Sequence, residues 1–168
     1  FKKLAEGTPS GSNQYYLGYY LLRTGKLDEA QQAFEKGLQI DDKALINQVG
    51  LGAVALQKGD KVKAKELFEA VEKKKKKDAE ILFRIGEAYT LSEKNNDPAE
   101  AIRLLDEAIK KDKNLADAYI AKGDALMLRN EGGAAATAYE YALTAKPNYP
   151  LAYHKVGQIF LRGKNYQL

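Results

Sequence analysis

Side chains able to do chemistry are few and scattered in this 168-residue chain. It has one histidine, His154, and no cysteine. Disulfides, thiolate zinc sites and cysteine nucleophiles are therefore all excluded. Ser10, Ser12 and Ser92 lie in turn-like stretches or at helix starts with no base alongside, and no nucleophile–base–acid triad can be assembled from them. His154 lacks a second histidine at ligand spacing, and the carboxylates lack the spacing of a calcium loop. Glu87 and Asp124 could face each other as a carboxylate pair, but a solvated or ion-paired role is the plainer reading. "VGLGAVAL", residues 49–56, has two glycines of a phosphate-cradling loop without the third glycine or a preceding strand. The expectation is a non-enzymatic chain with no catalytic, cofactor or metal residues.

Binding chemistry is better represented. "NQYYLGYYLLRTGK", residues 13–26, places four tyrosines between Tyr15 and Tyr20, and Lys73–Lys77 is an unbroken lysine run. The formal charge is +4, so these five lysines exceed the whole excess of positive charge. Basicity is thus one local feature rather than a surface-wide field. Hydrophobic residues make up 45% of the chain, enough to bury a core, and no apolar run approaches the ~18 residues that span a bilayer.

The elements that position these residues follow from an internal repeat. Gly18, Gly52, Gly86, Gly123 and Gly157 recur at intervals of 34, 34, 37 and 34 residues. Downstream stand Ala30, Ala64, Ala101 and Ala135, and four residues after each come Phe34, Phe68, Leu105 and Tyr139. Each unit shows two stretches of helical periodicity around a turn such as "RTGKLDEA". Glycine is about 1 kcal/mol worse than alanine inside a helix. Its fixed recurrence there implies that two helix axes approach too closely for a side chain. The extra three residues of the third unit fall in "TLSEKNNDPAEA", where Asp97, Pro98 and Glu100 read as a fresh helix start. The spacing therefore predicts a lengthened turn between two helices.

These residues resemble the tetratricopeptide repeat family, a 34-residue helix–turn–helix unit with Leu-Gly, Ala-x3-Phe and a closing proline. Leu17-Gly18, Ala30 with Phe34, and Pro147 match, whereas the family's tryptophan slot holds Gln14, Gln48, Leu82, Tyr119 and Tyr153. The resemblance implies an all-α, right-handed α–α superhelix (solenoid) of antiparallel helix pairs. Residues 1–168 are read as a single array. Residues 1–10 are the tail of a preceding unit, repeats cover about 11–44, 45–78, 79–115 and 116–149, and 150–168 form the first helix of a fifth, incomplete repeat.

It further implies that first helices line a concave groove in which a peptide or protein segment binds. Helical geometry selects as exposed the positions three before each repeat glycine, Tyr15, Val49, Phe83, Ile120 and His154, and one after it, Tyr19, Ala53, Glu87, Asp124 and Gln158. A neighbouring layer holds Ser12, Tyr16, Arg23, Glu80, Arg84, Asp117, Lys155 and Arg162. The groove is expected to be aromatic near the first two units and acidic at Glu80, Glu87, Asp117 and Asp124, suiting a segment with an apolar anchor and a basic residue. Tyr20 is expected to turn toward its own second helix, and Gly50 has no role beyond leaving room. Some family members clamp acidic chaperone tails. The matching slots here, Tyr15, Tyr19, Gly50, Glu80 and Arg84, retain a suitable donor only at Arg84.

Two other functions compete. One is an assembly or oligomerisation arm acting through open repeat ends, because Val156, Ile159, Phe160 and Leu161 sit on a helix whose partner would follow Leu168. The other is nucleic-acid binding, disfavoured because the lysine run lies about a helix pair from the tyrosines and the groove is acidic. The chain opens on Phe1 with no signal pattern, so its natural start is not visible. The expectation is a soluble protein of the cytoplasm or of the periplasm and cell envelope, with a protein or peptide partner and possible self-association through the C-terminal helix.

Overall fold

Helix boundaries follow from side chains that satisfy backbone N–H groups left open at helix starts. The Ser10 hydroxyl accepts from the Asn13 amide at 3.1 Å, and the Asp97 carboxylate accepts from the Glu100 amide at 3.1 Å with Pro98 opening the helix. The computed structural model describes residues 10–74 and 78–165, with side chains as far as Arg162. Among the described residues there are nine helices and no strand. They are α1 (Gly11–Arg23), α2 (Leu27–Ile40), α3 (Ile46–Lys58), α4 (Lys61–Lys74), α5 (Ala79–Leu91), α6 (Pro98–Lys111), α7 (Ala116–Leu128), α8 (Gly132–Ala145) and α9 (Pro150–Asn165). The turn closing α3 uses Gly59 at φ 97°, and Asn130 at φ 61° fills the same slot after α7. Left-handed backbone of this kind favours these two residue types. The fold is all-α and built from helix pairs, as the repeat spacing predicts.

The chain gathers into two compact units. The first comprises α1–α4 together with residues 91–96, and the second comprises the rest of α5 with α6–α9. In the first unit the Phe34 ring, fully buried on α2, lies directly on Gly18 of α1 and on Gly50 of α3. A methyl group at either glycine would fall inside van der Waals contact with that ring. Gly50 therefore has a steric reason of its own, which the sequence pattern does not reveal. Phe68 lies on Gly52 in the same way.

In the second unit Leu105 covers Gly86 and Tyr139 covers Gly123, while Gly157 of α9 faces open space. The three-residue lengthening does more than extend a surface turn. Ser92 is buried, and its hydroxyl and the Asn95 amide both donate to the Leu56 carbonyl, the latter at 2.7 Å. That carbonyl lies in the last turn of α3, where it also accepts from the Gly59 amide of the cap at 3.1 Å, so the turn adds side-chain donors to a helix end. Asn47, also buried, donates to the Gly11 carbonyl at 3.0 Å and rests on Gly37, tying α1, α2 and α3 together.

Candidate functional site

An α-helix turns about 100° per residue. Taking the repeat glycine as the direction of helix contact, the position three before it lies only about 60° away, still inside the contact. The structure accordingly corrects the first column of groove candidates. Tyr15 is 5% exposed with its ring 5.8 Å from that of Phe34, and Val49, Phe83 and Ile120 are equally buried. Ala53, from the second column, is buried as well. His154 alone in the first column is exposed, and it lies on α9, whose Gly157 nothing covers. Tyr20 is a further correction. It is 51% exposed, because two residues past the glycine is about 200° from the contact, and Leu21 and Leu22 turn inward instead.

The free surface of the first helices is therefore built from the second column and its neighbouring layer. In the first unit this surface is aromatic. Tyr16 is 50% exposed, Tyr20 lies one helical turn beyond it, and Tyr19 is half-buried with its ring 6.1 Å from that of Tyr15.

In the second unit it is ionic. On α5, Arg84 donates to Glu80 at 2.8 Å and to Glu87 at 3.2 Å, and its guanidinium lies 4.6 Å from the centre of the buried Phe83 ring. Phe83 thus orients the arginine rather than meeting a partner itself. On α7, the Asp124 carboxylate accepts from the Tyr139 hydroxyl at 2.6 Å and from the Lys155 ammonium of α9 at 2.6 Å. Asp117 accepts from the Tyr149 hydroxyl, close to Glu87. Glu87 and Asp124 each have their own cation and do not form a carboxylate pair.

Burial first, and the hydrogen bond to Asp124 second, push the Tyr139 hydroxyl well above the ordinary tyrosine range. Burial and Asp117 do the same to Tyr149. Both hydroxyls serve as fixed donors to a carboxylate. Asp124, Tyr139, Lys155, Gln158 and Arg162 line a cavity of about 150 Å³ with Met127 and Ile159. The spacing of the Phe34 column points to packing alone, and the hydroxyl that appears in it at Tyr139 is its one polar signal, whereas Tyr149, in the turn after α8, belongs to no repeat column. No group of three or more metal-ligating side chains occurs among the described residues.

Lys73 and Lys74 are exposed at the end of α4, and Lys75–Lys77 lie outside the described residues. No described helix is long and apolar enough to cross a membrane.

Two family models, both described as tetratricopeptide repeat, match residues 21–82 and 91–150. Among solved structures, the chain is similar to MamA at 26% identity and a TM-score of 0.59, over 88% of this chain and 84% of that one. It is similar to a thermophilic tetratricopeptide protein of Thermus thermophilus at 20% identity and a TM-score of 0.69, over 90% and 82%. It is also similar to YrrB, described as having an unusual peptide-binding site, at 20% identity and a TM-score of 0.57, over 86% and 73%. The last two likenesses, below 25% identity, concern the fold. A search of curated proteins found no match.

Proposed function

The chain belongs to the tetratricopeptide repeat family, and from that premise we propose that it is a non-enzymatic module of protein association that holds a partner segment on the exposed side of its first helices. The observation that carries this reading is the ionic surface of the second unit. There Glu80, Arg84, Glu87, Asp124 and Lys155 are held by one another in fixed positions while remaining partly open to solvent. Side chains ordered before a partner arrives lose less entropy on binding. Four carboxylates, Glu80, Glu87, Asp117 and Asp124, face three cations, Arg84, Lys155 and Arg162, the last lining the cavity beside Asp124. The remaining negative charge suits a basic residue in the bound segment. His154 is exposed on α9 next to Lys155, where an acidic residue of the segment would be placed. In the first unit Tyr16, Tyr19 and Tyr20 offer a separate apolar anchor surface.

Phe83 is unsuited to testing this surface, because removing its buried ring would unsettle the core. The test is a charge reversal, Glu80→Lys with Glu87→Lys, assayed against immobilised peptides rich in arginine and their glutamate counterparts. The expected outcome is at least a tenfold loss for the arginine peptides with helical content unchanged. Equal affinity for both peptide sets removes the ionic face from the site.

A second reading, assembly through a helix end, rests on α9. Tyr153, Phe160 and Leu161 are exposed there beside the uncovered Gly157, whereas the Leu126 slot matching Phe160 is buried on α7. Light scattering across a concentration series with Phe160→Glu checks it: association in the parent chain that the variant loses supports this reading.

A further inference from the structure

The opposite side of the second unit carries a groove of about 550 Å³ between α6 and α8, floored by α7. Ile102 and Ile109 form one wall, Ala134, Thr137 and Tyr141 the other, and Tyr119 rises from the floor. The Tyr119 and Tyr141 rings lie 5.9 Å apart, and Tyr141 is 56% exposed. From this geometry we infer that the groove is a docking site for the apolar face of an amphipathic helix from a partner protein.

The first unit supplies an internal control, because four of the apolar or small slots are polar one pair of repeats earlier, while Leu38 stands for Ile109 and Ala70 for Tyr141. Gln31 stands for Ile102, Gln48 for Tyr119, Lys63 for Ala134 and Glu66 for Thr137. There Gln31 bonds Lys58 at 2.9 Å and Glu35 at 2.8 Å, and Gln48 donates to the Leu67 carbonyl at 3.4 Å. Polar side chains fasten that surface to itself. In the second unit their replacements are apolar or small, and the surface stays open.

The chemistry of the occupant follows from charge and from backbone accounting. The ionised groups lining the groove, Lys122 and Asp106, are paired with each other at 2.6 Å. A charged side chain entering the groove would lose its hydration without gaining a free counter-ion. The occupant must therefore be uncharged on its buried side. The groove is made of helices whose backbone groups are already paired, and the Thr137 hydroxyl is engaged with the Gly133 carbonyl at 3.2 Å. An extended segment would find no ladder for its own N–H and C=O groups, whereas a helix arrives with them satisfied. Ile102 to Ile109 and Ala134 to Tyr141 each span two helical turns, about 10.5 Å, the distance between positions i and i+7 of a helix.

This site lies on a different face from the ionic one, so the two proposals fail separately. The probe is a fluorescein-labelled 16-residue helical peptide with leucine at i, i+4 and i+7 and alanine, glutamate and lysine elsewhere, with a control carrying lysine at those three positions. Binding is read by anisotropy. The leucine peptide is expected to bind and the lysine control to bind at least tenfold more weakly. Thr137→Glu and, separately, Ala134→Arg, both at exposed positions, should each weaken the leucine peptide at least tenfold without changing the thermal melt. Tyr16→Ala should leave it unchanged. Absence of binding to the parent chain, equal binding to the groove variants, or loss on Glu80→Lys/Glu87→Lys instead would each overturn the proposal. So would self-association of the parent that Thr137→Glu abolishes while the peptide fails to bind, which makes the occupant a second copy.

Discussion

Phe34 and Tyr139 occupy the same slot of two repeats and solve it differently. Phe34 is packed between two glycines, Gly18 and Gly50, and its surroundings are steric alone. Tyr139 has a glycine on one side only, Gly123. On the other side the Lys155 ammonium lies 6.0 Å from its ring centre, and its hydroxyl reaches Asp124. One close backbone approach is thus replaced by a charged network that comes to the surface. The steric version leaves an apolar first-helix face with exposed tyrosines, and the polar version leaves an ionic one. The comparison teaches that a repeat can alter its binding surface by changing what surrounds the packing residue, with the helix pair kept intact.

Breaking the steric side should cost most. Phe34→Ala removes a fully buried ring and leaves a cavity between α1, α2 and α3, an expected loss of about 3–5 kcal/mol by chemical denaturation. Overpacking comes next. Gly123→Leu drives a side chain into the Tyr139 ring and should cost about 1–3 kcal/mol or more. Gly50→Ala should be costly in the parent chain and much less so when combined with Phe34→Ala. Additive losses in that double mutant would show that the ring is not what Gly50 accommodates.

Removing the hydroxyl is smaller in scale. Tyr139→Phe deletes a hydrogen bond to a carboxylate, worth about 1.5–3 kcal/mol at most, because Lys155 still serves Asp124. It also changes the pH profile. Folding raises the hydroxyl pKa of Tyr139 and of Tyr149 above the unfolded value of about 10. The protonated forms are therefore favoured in the folded state. Their stabilisation is complete below about pH 10 and declines as pH rises further, when the unfolded chain releases those protons first. Denaturation midpoints between pH 9 and 11 should fall more steeply in the parent chain than in Tyr139→Phe combined with Tyr149→Phe. Parallel curves would contradict the bonding described for both tyrosines.

The repeat period, the helix start at Asp97 and the close contacts at four glycines were legible from spacing alone, since each depends on residues within one helix pair. The candidate site was less so. Helical angles separate inside from outside only when the width of the contact is known, and here it is wide enough to cover the positions three before the glycine, as where the Phe34 ring lies against Tyr15. Tyr15, Val49, Phe83 and Ile120 were assigned to the surface for that reason. Gly50 and Asn47 act across pairs, and no local period reports them. The burial of Ser92 depends on where a turn meets the carbonyl of Leu56, thirty-six residues earlier.

The smallest expected effect bears most directly on the comparison. Lys155→Met keeps an unbranched apolar stem over the Tyr139 ring and removes only the ammonium. The Lys155–Asp124 pair is partly open to water, and Asp124 retains the Tyr139 hydroxyl. The loss should therefore stay below about 1 kcal/mol and should shrink further as salt is raised. If Lys155→Met instead costs as much as Tyr139→Phe and is insensitive to salt, the cation is a structural equivalent of Gly50. The ionic surface would then belong to the packing of the repeat, with little of it available to a partner. A small, salt-dependent loss leaves that surface free to vary without loss of fold, which is what a binding face built on a repeat requires.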